Sequence, residues 1–168
     1  MVEVVVAKLA VDASTRAYVV ILQEKGGDRV LPIWIGQPEA ESIIIEMHQI
    51  VRTRPLTHDL CRSLITTLGA DLARVEITRM EERTYFAEMH LVRGAERMTV
   101  DARPSDSIAI ALRFGAPIFA DDALLNDSSD DWEPGATSPP PEPADLSAER
   151  LKAYLEGLRP EDFGKFNP

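Results

Sequence analysis

Asp101, Arg103 and Asp106 stand close together in Asp101-Ala102-Arg103-Pro104-Ser105-Asp106-Ser107, between an apolar run ending at Val100 and another beginning at Ile108. Two other segments have the same character. One is Arg54-Pro55-Leu56-Thr57-His58-Asp59, and the other is Pro38-Glu39-Ala40-Glu41-Ser42. Together these side chains could build a hydrolytic site, which needs charge stabilisation, an activated water and often a divalent ion. Asp101, Asp106 and Asp59 are oxygen donors of the kind that hold Mg²⁺ or Mn²⁺, and Glu41 adds a fourth carboxylate. His58 can act as general base or ligand. Arg54 and Arg103 suit phosphate oxygens, with Ser105 beside them. Helix starts near Pro38, Thr57 and Pro104 would add backbone N–H donors.

Each of these groups also has a structural reading. Asp106 and Asp59 fall in first turns of helices, where an acid complements the helix dipole, and Asp106 leans towards that role. Asp101 and Arg103, two apart on extended chain, can instead form salt bridges with other elements. Glu41 can face solvent on an isoleucine-rich helix. His48 and His90 have no acid or cysteine partner at ligand spacing, and Glu46 and His48 face different directions on a helix. Trp34, Tyr85 and Phe86 could stack on bases, but strand aromatics are more often core.

The elements that must position these residues can be read from periodicity and punctuation. Strands are expected over Val2–Leu9, Ala17–Leu22 and Arg29–Ile35, with Lys25-Gly26-Gly27-Asp28 as a hairpin turn. Pro32 places the third strand at an edge or a bulge. A helix follows from Pro38 to Ile50, its Ile43-Ile44-Ile45 run marking burial. A second helix opens with Thr57 as N-cap and ends at Gly69, with Leu60, Leu64, Ile65 and Leu68 on one face. Three strands (74–80, 84–92, 96–102) lead to a helix from Pro104 to Phe114 and a short extended segment at 116–120. Each half thus reads as three strands, a polar turn with proline, and a helix. The expected fold is α+β: a mixed β-sheet or partly closed barrel with packed helices, built from two β-β-β-α units.

Composition sets further bounds. Cys61 is the single cysteine, so no internal disulfide forms, and its expected role is packing. No leader pattern and no apolar run of spanning length is present, so a cytoplasmic protein without membrane contact is expected. The net charge of −10 is concentrated late in the chain. Residues 114–149 hold nine acids and no lysine or arginine, whereas residues 1–113 hold 14 basic against 16 acidic residues. A domain over 1–125 is therefore expected, followed by an acidic Pro/Ser-rich linker over 126–146. Over 147–168, Leu151, Tyr154, Leu155 and Leu158 form one face of a terminal amphipathic helix, which would pack on its own domain or dock on a protein partner.

Three segments, in order and at matching spacing, resemble the bifunctional nuclease domain family. They are Leu31-Pro32-Ile33-Trp34-Ile35-Gly36 with Glu39-Ala40, then Arg54-Pro55-Leu56-Thr57-His58-Asp59-Leu60, then Asp101-Ala102-Arg103-Pro104-Ser105-Asp106-Ser107-Ile108-Ala109. The resemblance covers roughly residues 2–125. It implies a mixed α/β domain that forms homodimers and a nuclease activity on RNA and DNA, ascribed chiefly to plant relatives. The alternative expectation, from the near-neutral core and the tethered helix, is a non-catalytic regulatory or protein-interaction domain.

Overall fold

The computed structural model describes residues 1–12 and 17–126. Residues 127–146 of the expected linker, and the helix expected over 147–168, lie outside the described residues. The elements run β1 (Val2–Val11), β2 (Tyr18–Glu24), β3 (Val30–Ile35), α1 (Gln37–Met47), α2 (Thr57–Thr67), β4 (Asp71–Glu81), β5 (Thr84–Arg93), β6 (Glu96–Ala102), α3 (Pro104–Phe114) and β7 (Ile118–Ala120), closed by a 3₁₀ turn at Asp122–Leu124. No described helix is long and apolar enough to cross a membrane.

The strands form one curled, mixed sheet in the order β3-β2-β1-β7-β4-β5-β6. Its two outer thirds are antiparallel meanders, one from each β-β-β-α unit. The short β7 joins them, antiparallel to β1 through Val2–Ala120 and parallel to β4 through Val75–Ile118. Pro32 lies on β3, an edge strand, where a missing N–H leaves no inner ladder bond unmade. Val30 of that edge exchanges backbone bonds with Asn126, so pairing reaches one residue past the expected domain boundary.

The fold is organised around α3. Ile108, Ala109 and Ala111 are fully buried, and the helix packs on α1, α2, β4 and β5. The alanines allow close approach, and the isoleucine meets a core that includes Leu22, Leu31, Ile43, Val75 and Ile77. Burial of each large aliphatic side chain contributes about 1.5–3 kcal/mol. Pro104 starts α3 and Gly115, at φ 65°, ends it in the left-handed conformation that glycine adopts without strain.

The second helix differs from expectation in two ways. Thr57 is its first residue rather than its cap: Leu56 holds the cap position and makes no side-chain cap bond, and Asp59 Oδ2 accepts from the Leu56 N–H at 2.8 Å. And Leu60, Leu64 and Leu68 do share a face, but it is exposed by 51%, 53% and 68%. Cys61 and Ile65 are the α2 residues that pack on the core.

Candidate functional site

The three helices bring one polar cluster together. From α1, Ser42 is buried and its Oγ lies 2.8 Å from His58 Nδ1 at the start of α2. The other ring nitrogen, Nε2, lies 3.0 Å from Asp106 Oδ1 in the first turn of α3. A carboxylate can only accept, so Nε2 carries the proton; when the ring is neutral, Nδ1 accepts from the Ser42 hydroxyl. Arg103, just before α3, closes the cluster. Its Nε donates to Asp106 Oδ2 at 2.8 Å, and its Nη2 donates to Glu39 Oε1 at 2.7 Å. The side chains grade from interior to solvent: His58 is 12% exposed, Asp106 28% and Arg103 67%. Asp106 does not cap its helix with a backbone bond; both its oxygens go to side chains.

A second ion pair lies beside the first. Arg113, at the last turn of α3, is 1% exposed, and its Nε donates to Asp59 Oδ1 at 2.5 Å. Its other nitrogens donate to the carbonyls of Ala109 and Ser42. Ser42 thus belongs to both networks, its hydroxyl to one and its carbonyl to the other. A groove of about 480 Å³ opens next to this pair, lined by Asp59, Arg62, Ser63 and Thr66 among others. Neither His58, Arg103 nor Asp106 lines it, so this groove and the polar cluster are separate features.

Burial alone would raise the Asp106 carboxyl, but the hydrogen bonds from Arg103 and His58 outweigh it and hold it below its ordinary value of 3.8. Asp59 behaves alike: desolvation is outweighed by the bonds from Arg113 and the Leu56 N–H. A carboxyl depressed in the fold contributes stability above its unfolded value, and that stability is lost as pH falls through the folded value. The midpoint of urea unfolding is therefore expected to hold down to about pH 5 and to fall below about pH 4, with a shallower fall in Asp106→Asn. An Asp106→Asn curve parallel to that of the unaltered protein down to about pH 3 would contradict this assignment.

The remaining candidates are placed elsewhere. Asp59, Asp101 and Asp106 do not form a metal-ligand group: Asp59 holds Arg113, Asp106 holds Arg103 and His58, and Asp101 projects from β6. Asp101 is exposed and has no ion pair or side-chain hydrogen bond among the described residues, in place of the salt bridge that its spacing from Arg103 suggested. Glu41 accepts from Gln37 at the surface of α1 and does not join the cluster. Arg54 is exposed in the loop before α2. Ser105 is 7% exposed and makes no side-chain hydrogen bond among the described residues. Trp34 is 49% exposed and its Nε1 donates to Asp12, not to a core partner.

Glu39, Ser42 and Arg113 are the cluster members that spacing did not single out. All three are at helical spacing from flagged or apolar residues, and only the tertiary crossing of α1 and α3 brings them in. His90 corrects a second expectation. Its Nε2 lies 3.1 Å from Glu76 and 3.8 Å from Glu88, so acids do surround it. Glu88 and His90, two apart on a strand, share a face, a signal present in the sequence.

Residues 20–132 match the bifunctional nuclease domain family. An uncharacterized protein of Mycobacterium tuberculosis is 41% identical over 165 residues, which cover 96% of this chain and 97% of that protein. Bifunctional nuclease 1 of Oryza sativa subsp. japonica is 28% identical over 110 residues, 64% of this chain and 33% of the plant protein. Bifunctional nuclease 2 of Arabidopsis thaliana is 27% identical over 103 residues, 60% of this chain and 31% of its own length.

Proposed function

Because the chain belongs to the bifunctional nuclease domain family, we propose that it hydrolyses phosphodiester bonds in RNA and DNA with little sequence preference, at the cluster of Arg103, Asp106 and His58. One observation carries the choice of site. A histidine, a carboxylate and an exposed arginine from two distant segments meet within hydrogen-bond distance.

Arg103 is the phosphate ligand of this reading, since its planar fork fits two phosphate oxygens and its head reaches solvent. A phosphate on the guanidinium competes with the carboxylates of Glu39 and Asp106. Release of Asp106 Oδ2 from Arg103 removes the main contact that lowers its pKa, so the freed oxygen becomes a better proton acceptor. It then takes a proton from the water whose oxygen attacks phosphorus, and the leaving oxygen takes a proton from solvent. His58 is a positioning residue: held by Ser42, it fixes Asp106 Oδ1. Arg103→Ala removes the phosphate ligand at an exposed position. The expected result on single-stranded RNA and DNA is a KM raised about tenfold, with the fold kept, in protein freed of host nuclease. Absence of cleavage by the unaltered protein under all conditions would sink the proposal.

A second reading rests on the same bonds. Both ring nitrogens of His58 and both oxygens of Asp106 are already partnered, as in a brace between helices. On that reading the domain is a non-catalytic interaction module, and Arg103→Ala changes no cleavage.

A further inference from the structure

On the sheet, Glu76 of β4 faces Glu88 of β5, and Glu88 faces Asp101 of β6. Cross-strand partners project to the same side, so three carboxylates form a row. His90 follows Glu88 by two residues and shares that side. The buried neighbours in between, Val75, Ile77, Ala87 and Met89, point to the opposite side, where the helices pack. The row is therefore on the face away from the cluster around His58.

Three features single out Glu76, Glu88 and His90. They are the only described group of three whose ligand atoms all lie within 4.8 Å of one another. Two donors on one ion at about 2.0–2.2 Å sit ~3 Å apart, and Glu76 Oε2 and His90 Nε2 are 3.1 Å apart already. Next, His90 Nε2 is buried and no well-formed hydrogen bond reaches it, though Glu76 Oε2 lies 3.1 Å away. A buried nitrogen without a well-formed bond calls for a partner such as an ion. Finally, Arg74 holds Glu76 by Oε1 and leaves Oε2 free, while Glu88 has no partner but His90 among the described residues. Arg74 fixes Glu76 as an outer-shell group fixes a metal ligand.

We propose that Glu76, Glu88 and His90 bind a divalent transition ion, with Asp101 beside them on the next strand. One imidazole with two carboxylates suits Mn²⁺ or Zn²⁺ better than Mg²⁺, which dehydrates reluctantly and avoids such sites. Three carboxylates against the single Arg74 leave an excess of negative charge for the cation. The site stands independently of the nuclease reading, because binding is measured without cleavage.

The probe is Mn²⁺, titrated into the full chain and followed by the electron paramagnetic resonance of the free ion. Binding of one equivalent is expected in the unaltered protein. Glu88→Gln alters a part-exposed side chain and keeps the fold; it is expected to weaken binding about tenfold or more, and His90→Gln likewise. Asp106→Asn, on the other face, is expected to bind as the unaltered protein does. No uptake up to about 1 mM Mn²⁺, unchanged uptake in both Glu88→Gln and His90→Gln, or loss of uptake in Asp106→Asn would each overturn the proposal.

Discussion

Asp59→Ala is expected to destabilise the domain by about 3–5 kcal/mol, the cost of leaving one member of a buried pair without its partner. The member left behind is Arg113, whose side chain is 1% exposed and has no other carboxylate within 4 Å among the described residues. Its bonds to the carbonyls of Ala109 and Ser42 satisfy donors but do not neutralise charge. Asp59 also accepts the Leu56 N–H, so alanine removes a helix cap, worth about 1 kcal/mol by itself. The converse change, Arg113→Met, is expected to cost less. It leaves a carboxylate that is 32% exposed and still capping, and methionine fills most of the volume. Combined in Asp59→Ala/Arg113→Met, the two changes should cost less than their sum, because no unpaired charge remains inside. Urea unfolding of the four proteins gives the coupling directly. If Asp59→Ala unfolds at the same urea concentration as the parent, the pair is not what holds α2 to α3.

This result bears on how far the sequence could be read. Asp59 carried two readings, ligand and helix-start acid, and the choice depended on Arg113, 54 positions later. Nothing local marks that arginine as buried; it looks like an ordinary basic residue in a last turn. By contrast, the bounds of α3 were legible residue by residue. Pro104 and Gly115 punctuate it, and its apolar content separates it from the neighbouring strand. The two β-β-β-α units were legible for the same reason, since strand period, turns and helix starts are all local signals. The leucine row of α2 shows the limit: periodicity gave the shared face correctly, but not that Leu60, Leu64 and Leu68 stay exposed. In the site, Arg103, Asp106 and His58 stand out in the sequence and do meet, whereas the sequence points to Glu41 and the structure uses Glu39. Those two are two apart on one helix and therefore on different sides, and only the position of α3 decides which of them meets Arg103. Glu76 is far from His90 in sequence and adjacent in space because β4 and β5 pair in that register.

Asp106→Asn separates the catalytic reading from the structural one most sharply. Asparagine keeps the shape of the side chain but has one oxygen for two donors that now hold separate oxygens; with that oxygen turned to His58, its amide nitrogen releases the exposed Arg103 to solvent. The pair it weakens involves an arginine that is 67% exposed, and exposed pairs are worth about 0–1 kcal/mol. The protein should therefore remain folded at ordinary temperature, in contrast to Asp59→Ala. An amide cannot accept a proton from water, so if Asp106 is the base, kcat on single-stranded RNA should fall about 10²–10⁴-fold with KM little changed. Arg103→Ala should show the opposite pattern, with the larger change in KM. His58→Gln, which retains a donor towards Asp106 but not the ring geometry, should fall between Asp106→Asn and the unaltered protein in kcat. If the cluster is a brace and cleavage occurs elsewhere on the domain, this ordering disappears: activity then tracks the folded fraction, and restoring the fold at lower temperature restores the rate. Full kcat in folded Asp106→Asn would remove this carboxylate from the reaction and leave the helix cluster a structural one.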